Sequence, residues 1–113
     1  MVSQTIKIGT MKKGESVIID TAILPEDYKL APNGNNFLEA NTNGLDIKVY
    51  VYHFTNKYDD ELNWVEITNK KVRVDPTFVD NKIRFKVDVN EDLKEGDSFT
   101  IKIYRVFEEA TSE

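Results

Sequence analysis

The chain of 113 residues contains no cysteine, and its single histidine is His53. Disulfide bonds, thiolate metal sites and a cysteine nucleophile are therefore excluded, and no pair of histidines can have metal-binding spacing. No apolar run approaches the roughly 20 residues that span a bilayer, and residues 1–15 lack the apolar core of a signal peptide. We therefore expect a protein that is made in a cytoplasm, is not secreted by a signal peptide and has no membrane partner.

Positive charge is also in short supply, because 15 lysines and arginines face 20 aspartates and glutamates, for a net charge of -5. A phosphate backbone needs a clustered positive surface, so nucleic acid is not expected as a partner. The five glycines are dispersed and form no phosphate-binding loop, and no nucleophile elbow is present. These absences predict a protein that is not an enzyme, carries no cofactor and holds no metal.

What the sequence has in quantity is alternation of apolar and polar residues with a period of two. In NKIRFKVDVN, the apolar residues Ile83, Phe85, Val87 and Val89 share one face of an extended strand. Similar alternation recurs in SQTIKIG, ESVIIDTAI, LDIKVYVYHF, NWVEIT, KVRVD and FTIKIYRVF. Such alternation is typical of half-buried antiparallel strands. Seven to eight strands predict a single all-β domain over residues 1–113, an antiparallel two-sheet sandwich of jelly-roll type.

Two parts of the chain lack this alternation. Residues 22–44 contain Asn33-Gly34 and Asn43-Gly44, which favour turns, and they predict a long connection that crosses between the sheets or covers one end. A structureless connection of about 20 residues is uncommon in a compact domain and is often functional. Residues 108–113 are rich in glutamate and predict a flexible tail.

One strand is apolar on both of its faces. Opposite its aliphatic side, Tyr50, Tyr52 and Phe54 form an aromatic stripe, where a strand with one exposed side would be polar. Three interpretations are open: residues 22–44 cover the stripe, the stripe is a subunit interface of the kind in which tyrosine is enriched, or the stripe and Trp64 together stack on sugar rings.

The last strand raises a related question, because its apolar face continues from Ile103 to an arginine, Arg105. His53 similarly ends the aliphatic row of its own strand. A buried arginine without a carboxylate costs several kcal/mol, so we expect both side chains at the rim of the sandwich. A functional alternative pairs Arg105 with an acidic residue of another strand or another subunit.

Glu39, Asn41 and Asn43 match the first positions of a calcium-binding loop. That loop needs a bidentate glutamate at its twelfth position, which is Tyr50 in this chain. These residues therefore predict a turn, and the acidic stretch YDDE over residues 58–61 predicts a solvated hairpin tip.

A basic stripe runs along one strand face at Lys82, Arg84 and Lys86. In an acidic protein, such a stripe is typical of a solvated face or of a guard against edge-to-edge strand pairing. It does not predict a nucleic-acid contact.

The stretches NWVEIT and NKIRFKVDVNEDLKEGDSFTIKIYRV carry a resemblance to a known class of proteins. Their order over residues 44–106 resembles the small jelly-roll structural proteins of tailed-bacteriophage virions, found in necks, tail appendages and head decorations. The resemblance implies a virion component that assembles in the host cytoplasm and contacts other virion proteins. It also implies a homo-oligomer around a symmetry axis, a trimer among the options, with Arg105 paired near a subunit contact.

Two functions therefore compete at this stage. The first is a non-enzymatic structural protein that buries Tyr50, Tyr52 and Phe54 against a neighbour, as aromatic anchors do at interfaces. The alternative is a carbohydrate-binding module, in which Trp64 and the tyrosines stack on sugar rings and acidic loops orient the hydroxyl groups.

Overall fold

The computed structural model describes residues 2–22, 28–30, 36–104 and 106–108. These residues form eleven β-strands and one 3-10 turn over Asp60–Asn63. The strands are β1 (Val2–Lys7), β2 (Ser16–Thr21), β3 (Tyr28–Leu30), β4 (Phe37–Asn41), β5 (Ile47–Tyr52), β6 (Trp64–Glu66), β7 (Val72–Arg73), β8 (Phe78–Val79), β9 (Lys82–Val89), β10 (Ser98–Tyr104) and β11 (Val106–Glu108). Within this described part, no helix is long and apolar enough to cross a membrane.

Nine of these strands build two antiparallel sheets that pack face to face. The four-stranded sheet has the order β1-β10-β4-β7. The five-stranded sheet has the order β2-β9-β5-β6, and β8 pairs with β9 beyond the end of β5. Strands β3 and β11 pair with each other in a separate two-stranded ribbon.

The pairing pattern is that of a jelly roll. When the short β3, β8 and β11 are set aside, eight strands remain, and the first pairs with the last, β1 with β10. Counting inward, β2 pairs with β9, β4 with β7, and β5 with β6. This is one long hairpin rolled up so that successive pairs alternate between the two sheets. The prediction of an all-β, antiparallel two-sheet sandwich of jelly-roll type is confirmed, with nine strands in the two sheets and two in the ribbon where seven to eight were predicted.

The core lies between the sheets and is built from the alternating residues of the central strands. Phe85 of β9 and Phe99 of β10 are fully buried. Their rings meet edge to face, with centroids 6.2 Å apart and planes at 76°. Because β9 and β10 belong to different sheets, this contact joins the two sheets. The fully buried aliphatic side chains around it include Leu38, Val49, Val51, Ile67, Ile83, Val87, Ile101 and Ile103.

The prediction of an unstructured connection over residues 22–44 is wrong in two parts, because β3 and β4 both lie within those residues. Strand β4 lies in it, between β10 and β7, and it buries Leu38 and Ala40. The strand is short, and alanine is a weak strand former, so the alternation gave too little signal. The connection does cross between the sheets, since β2 and β4 belong to different ones. Its residues 23–27 and 31–35 lie outside the described residues.

The ribbon of β3 and β11 takes one strand from the predicted connection and the other from the C-terminal part of the chain, next to the predicted tail. Glu108, the first residue of the predicted tail, is the last residue of β11, and residues 109–113 lie outside the described part of the chain, as does Arg105. The prediction for Arg105, at the rim or in a subunit contact, therefore stays a prediction.

His53 is half-buried just after the end of β5, and its Nδ1 donates to the carbonyl oxygen of Asp75. This is the rim position expected for it.

The basic stripe lies on a central strand, which excludes one of its two interpretations. Strand β9 is paired on both sides, by β2 and β5, so Lys82, Arg84 and Lys86 cannot guard a sheet edge. They lie on the outer face of the five-stranded sheet, where Arg84 makes two hydrogen bonds to Asp20, of 2.8 and 2.9 Å. These bonds hold the pKa of the Asp20 carboxyl below its usual value, against the opposing effect of its burial.

Candidate functional surface

The predicted aromatic side chains meet on the outer face of the five-stranded sheet. Tyr52 lies opposite Trp64 in the pairing of β5 with β6, and their ring centroids are 5.2 Å apart. The ammonium of Lys86 lies 5.0 Å from the ring of Tyr50 and 5.1 Å from the ring of Trp64. These four residues are called the aromatic face below. Cation–π contact of this kind stabilises a cluster of rings at a protein surface.

The Tyr50 hydroxyl in the aromatic face is partly buried and lies near two carboxylates, those of Asp88 and Glu66. Burial raises the pKa of the Tyr50 phenol, and the charges of Asp88 and Glu66 raise it further. The indole Nε1 of Trp64 donates to a carboxylate oxygen of Asp60, at 3.1 Å. Residues 23–27 and 31–35, which one interpretation places over this face, lie outside the described residues, so that interpretation stays a prediction.

Phe54, the third residue of the predicted stripe, lies beyond the end of the strand that carries the other two. Strand β5 ends at Tyr52, and the backbone N–H of Phe54 donates to Oγ1 of Thr77, at 2.8 Å. The side chain of Phe54 is 49% exposed. The structure thus brings Tyr50, Tyr52 and Trp64 together and places Phe54 beside them, at one end of the sandwich.

That end exposes several large apolar side chains, of which Leu62 and Phe78 were not singled out by the sequence analysis. The segment Phe54–Asn63, called the apical loop below, presents Tyr58 at 87% exposure and Leu62 at 58%. Phe78 of β8 is 44% exposed. It lies at the same end, because its neighbour Thr77 bonds the backbone of both Tyr52 and Phe54. The stretch over residues 58–61 is solvated as predicted. Its acidic residues lie between the exposed Tyr58 and Leu62 in the sequence.

The apical loop is held in shape from inside by Asn63, which is 2% exposed. Its Oδ1 accepts hydrogen bonds from the backbone N–H groups of Thr55 and Asn56, at 2.7 and 2.8 Å. Its Nδ2 donates to the carbonyl oxygen of Asn56, at 2.8 Å. The Oδ1 of Asn56 accepts in turn from the backbone N–H groups of Tyr58 and Asp59, at 2.7 and 2.9 Å. Side chains that bond backbone groups in this way fix a loop in a single conformation.

A second feature of the outer face is an open cleft of about 390 Å³ beside Tyr50, toward the end where β5 begins. Ser16 Oγ donates to Asp88 there, at 2.6 Å. Asn90 Nδ2 donates to Asp46, at 3.1 Å. Carboxylate and amide groups next to an aromatic ring can bind the hydroxyls and the apolar side of a sugar ring. The cleft is lined by Gly14, Glu15, Ser16, Asp46, Lys48, Tyr50, Asp88, Val89 and Asn90.

The residues of the partial calcium-loop match are engaged in bonds of the fold. Glu39 accepts a hydrogen bond from the hydroxyl of Tyr104, at 2.8 Å, and this bond raises the pKa of that phenol. Asn41 Oδ1 accepts from the backbone N–H of Asn43, at 3.0 Å. Asn43 has a φ of 56° and stands in a turn closed by Leu45 N–H and the Thr42 carbonyl, at 3.0 Å. The predicted turn is therefore present.

Comparison with known protein families, with curated protein sequences and with solved structures finds no match for this chain.

Proposed function

We propose that this chain is a non-enzymatic structural protein of a tailed-bacteriophage virion, assembling with copies of itself and with other virion proteins. The observation that supports the proposal most is the end of the sandwich formed by the apical loop and β8. There Phe54, Tyr58, Leu62 and Phe78 are all exposed. Several large exposed apolar groups at one end of a sandwich are a feature of surfaces that a partner covers.

The rigidity of the apical loop supports the same function. Ordering a loop on binding costs free energy, and a loop that is already ordered avoids that cost. Asn63 and Asn56 hold the backbone of the loop before any partner arrives. The large side chains of Tyr58 and Leu62 are thus presented from an ordered backbone, and large side chains of this type dominate the energetics of protein interfaces.

The virion context is supported by the fold and the sequence together. Jelly rolls occur in viral structural proteins and in lectins, so the strand order agrees with both functions under comparison. The resemblance of residues 44–106 to phage jelly-roll proteins favours the first of them. Under this proposal, the protein is assembled in the host cytoplasm and forms a trimer or another closed oligomer.

Carbohydrate binding is a second candidate function, and the cleft beside Tyr50 favours it. The cleft combines the ring of Tyr50 with Asp46, Asp88 and Asn90, groups that suit a sugar ring and its hydroxyls. Trp64 is the single tryptophan. Its ring and the ring of Tyr50, which lines the cleft, both contact the ammonium of Lys86, so a ligand bound in the cleft is expected to change the fluorescence of Trp64. Saturable quenching of its fluorescence by an oligosaccharide would favour this second function.

The mass of the protein in solution tests the first function. We expect light scattering after size exclusion to give the mass of a closed oligomer at micromolar protein, with the same value in calcium and in chelator. A monomer in both buffers at every concentration would contradict the homo-oligomer. A mass that changed with chelator would instead indicate a metal ion, with Glu39, Asn41 and Asn43 as the first residues to replace.

A further inference from the structure

Two charged patches of opposite sign, each with an exposed apolar residue, are left unexplained by the fold. The first is the apical loop, where Asp59, Asp60 and Glu61 lie between the exposed side chains of Tyr58 and Leu62. The second is the basic stripe on β9 together with Ile18, which is 54% exposed on the neighbouring strand β2.

One cation of the basic stripe, Lys82, has no ion-pair partner among the described residues. Ile18 lies directly opposite Lys86, and Asp20 opposite Arg84, in the pairing of β2 with β9. Asp20 is bonded to Arg84. Lys82 is exposed, and it makes no ion pair within the described residues. The stripe therefore leaves Lys82 without an ion pair at one end and the exposed Ile18 beside Lys86 at the other.

In the apical loop, the charge without a partner is negative. Asp59 caps the 3-10 turn by accepting from Glu61 N–H, and Asp60 accepts from the indole of Trp64. The side chain of Glu61 makes no hydrogen bond and no ion pair in the part of the chain described. The loop thus offers an unpaired carboxylate between two apolar side chains, which suits an apolar surface with a cationic border.

We propose that the apical loop of one copy docks on the basic stripe of a second copy, with Tyr58 and Leu62 against Ile18 and Glu61 beside Lys82. The occupant is a second copy because this chain itself carries both complementary surfaces. Since the two patches differ, the contact is made twice across a two-fold axis or repeated around a closed ring. The inference rests on the proposed function and specifies its contact.

Charge reversal tests the contact without disturbing either element. We expect Glu61→Lys and Lys82→Glu each to raise the dissociation constant of the oligomer at least about tenfold, since each places like charges together across the interface. The double variant Glu61→Lys/Lys82→Glu restores opposite charges in every copy, whatever the number of subunits. Its dissociation constant is expected to return to within about threefold of the wild-type value, close to additivity error for a restored pair.

Matched controls come from the opposite end of the sandwich. Glu95→Lys and Lys94→Glu make the same changes of charge at exposed positions, and neither is expected to change the dissociation constant. Tyr58→Ser removes an aromatic anchor and is expected to raise the constant about 30-fold or more. Far-ultraviolet circular dichroism establishes that every variant is folded.

The outcomes separate this contact from the broader function. An oligomer that tolerates Glu61→Lys, Lys82→Glu and Tyr58→Ser equally well would overturn the contact and leave self-assembly in place. Single variants that dissociate, with a double variant that is no better, would overturn the pairing of these two patches. A wild-type protein that is monomeric at every concentration would overturn both the contact and the homo-oligomer.

Discussion

Phe85→Ala is expected to lower the free energy of unfolding by about 3–5 kcal/mol, the cost typical of deleting a fully buried phenylalanine side chain. Phe85 is fully buried on β9, in the middle of the five-stranded sheet. Its ring contacts that of Phe99, which belongs to the other sheet. The substitution therefore leaves a cavity between the sheets and removes an aromatic contact that joins them.

Urea unfolding followed by Trp64 fluorescence measures this loss, and Phe78→Ala is the matched control. Phe78 is the same residue type on the strand that pairs with β9, but it is 44% exposed. Measured at protein concentrations low enough to keep the protein monomeric, its replacement is expected to lower the free energy of unfolding by only about 1 kcal/mol, because much of the ring is already in water. If both alanine variants lost the same stability, the core would not lie where the structure places it.

The alternation of apolar residues was sufficient to predict which faces of the long strands are buried. On β9, Ile83, Phe85, Val87 and Val89 are all buried, as their spacing indicated. The alternation could not identify β4, because five residues with Leu38 and Ala40 as the buried pair resemble a loop. Nor could it place β9 inside its sheet, since strand neighbours are set by contacts between residues far apart in the sequence.

The same limits apply to the candidate surface. A period of two correctly put Tyr50 and Tyr52 on one face, and the register of β5 with β6 adds Trp64. It does not extend to Phe54, because the strand ends at Tyr52. The exposure of Tyr58 follows from the predicted solvated tip, but that of Leu62 was not predictable, since it depends on a loop shape that hydrogen bonds from Asn63 determine.

Asn63→Ala is expected to lower the free energy of unfolding by about 2–3 kcal/mol, because it leaves partly buried backbone groups without hydrogen-bond partners. The groups that lose a partner are the N–H groups of Thr55 and Asn56 and the carbonyl of Asn56. Denaturant unfolding measures the loss of stability. Hydrogen exchange at the amides of Thr55 and Asn56 shows whether the loop has opened locally.

Asn56→Ala is the matched control, since it removes two hydrogen bonds nearer the exposed tip. Water can replace those bonds more easily, so a loss of at most about 1 kcal/mol is expected. Equal losses for the two variants would contradict the role of Asn63 as the internal support of the loop.

The link to assembly comes from comparing stability with oligomer formation in the Asn63→Ala variant. If the apical loop binds as a preformed element, loosening it adds an ordering cost to every contact it makes. The dissociation constant should then rise even at temperatures where the variant remains fully folded. A folded Asn63→Ala protein with a mobile loop and an unchanged dissociation constant would show that the rigidity of the loop serves the fold alone, and assembly would have to use another surface.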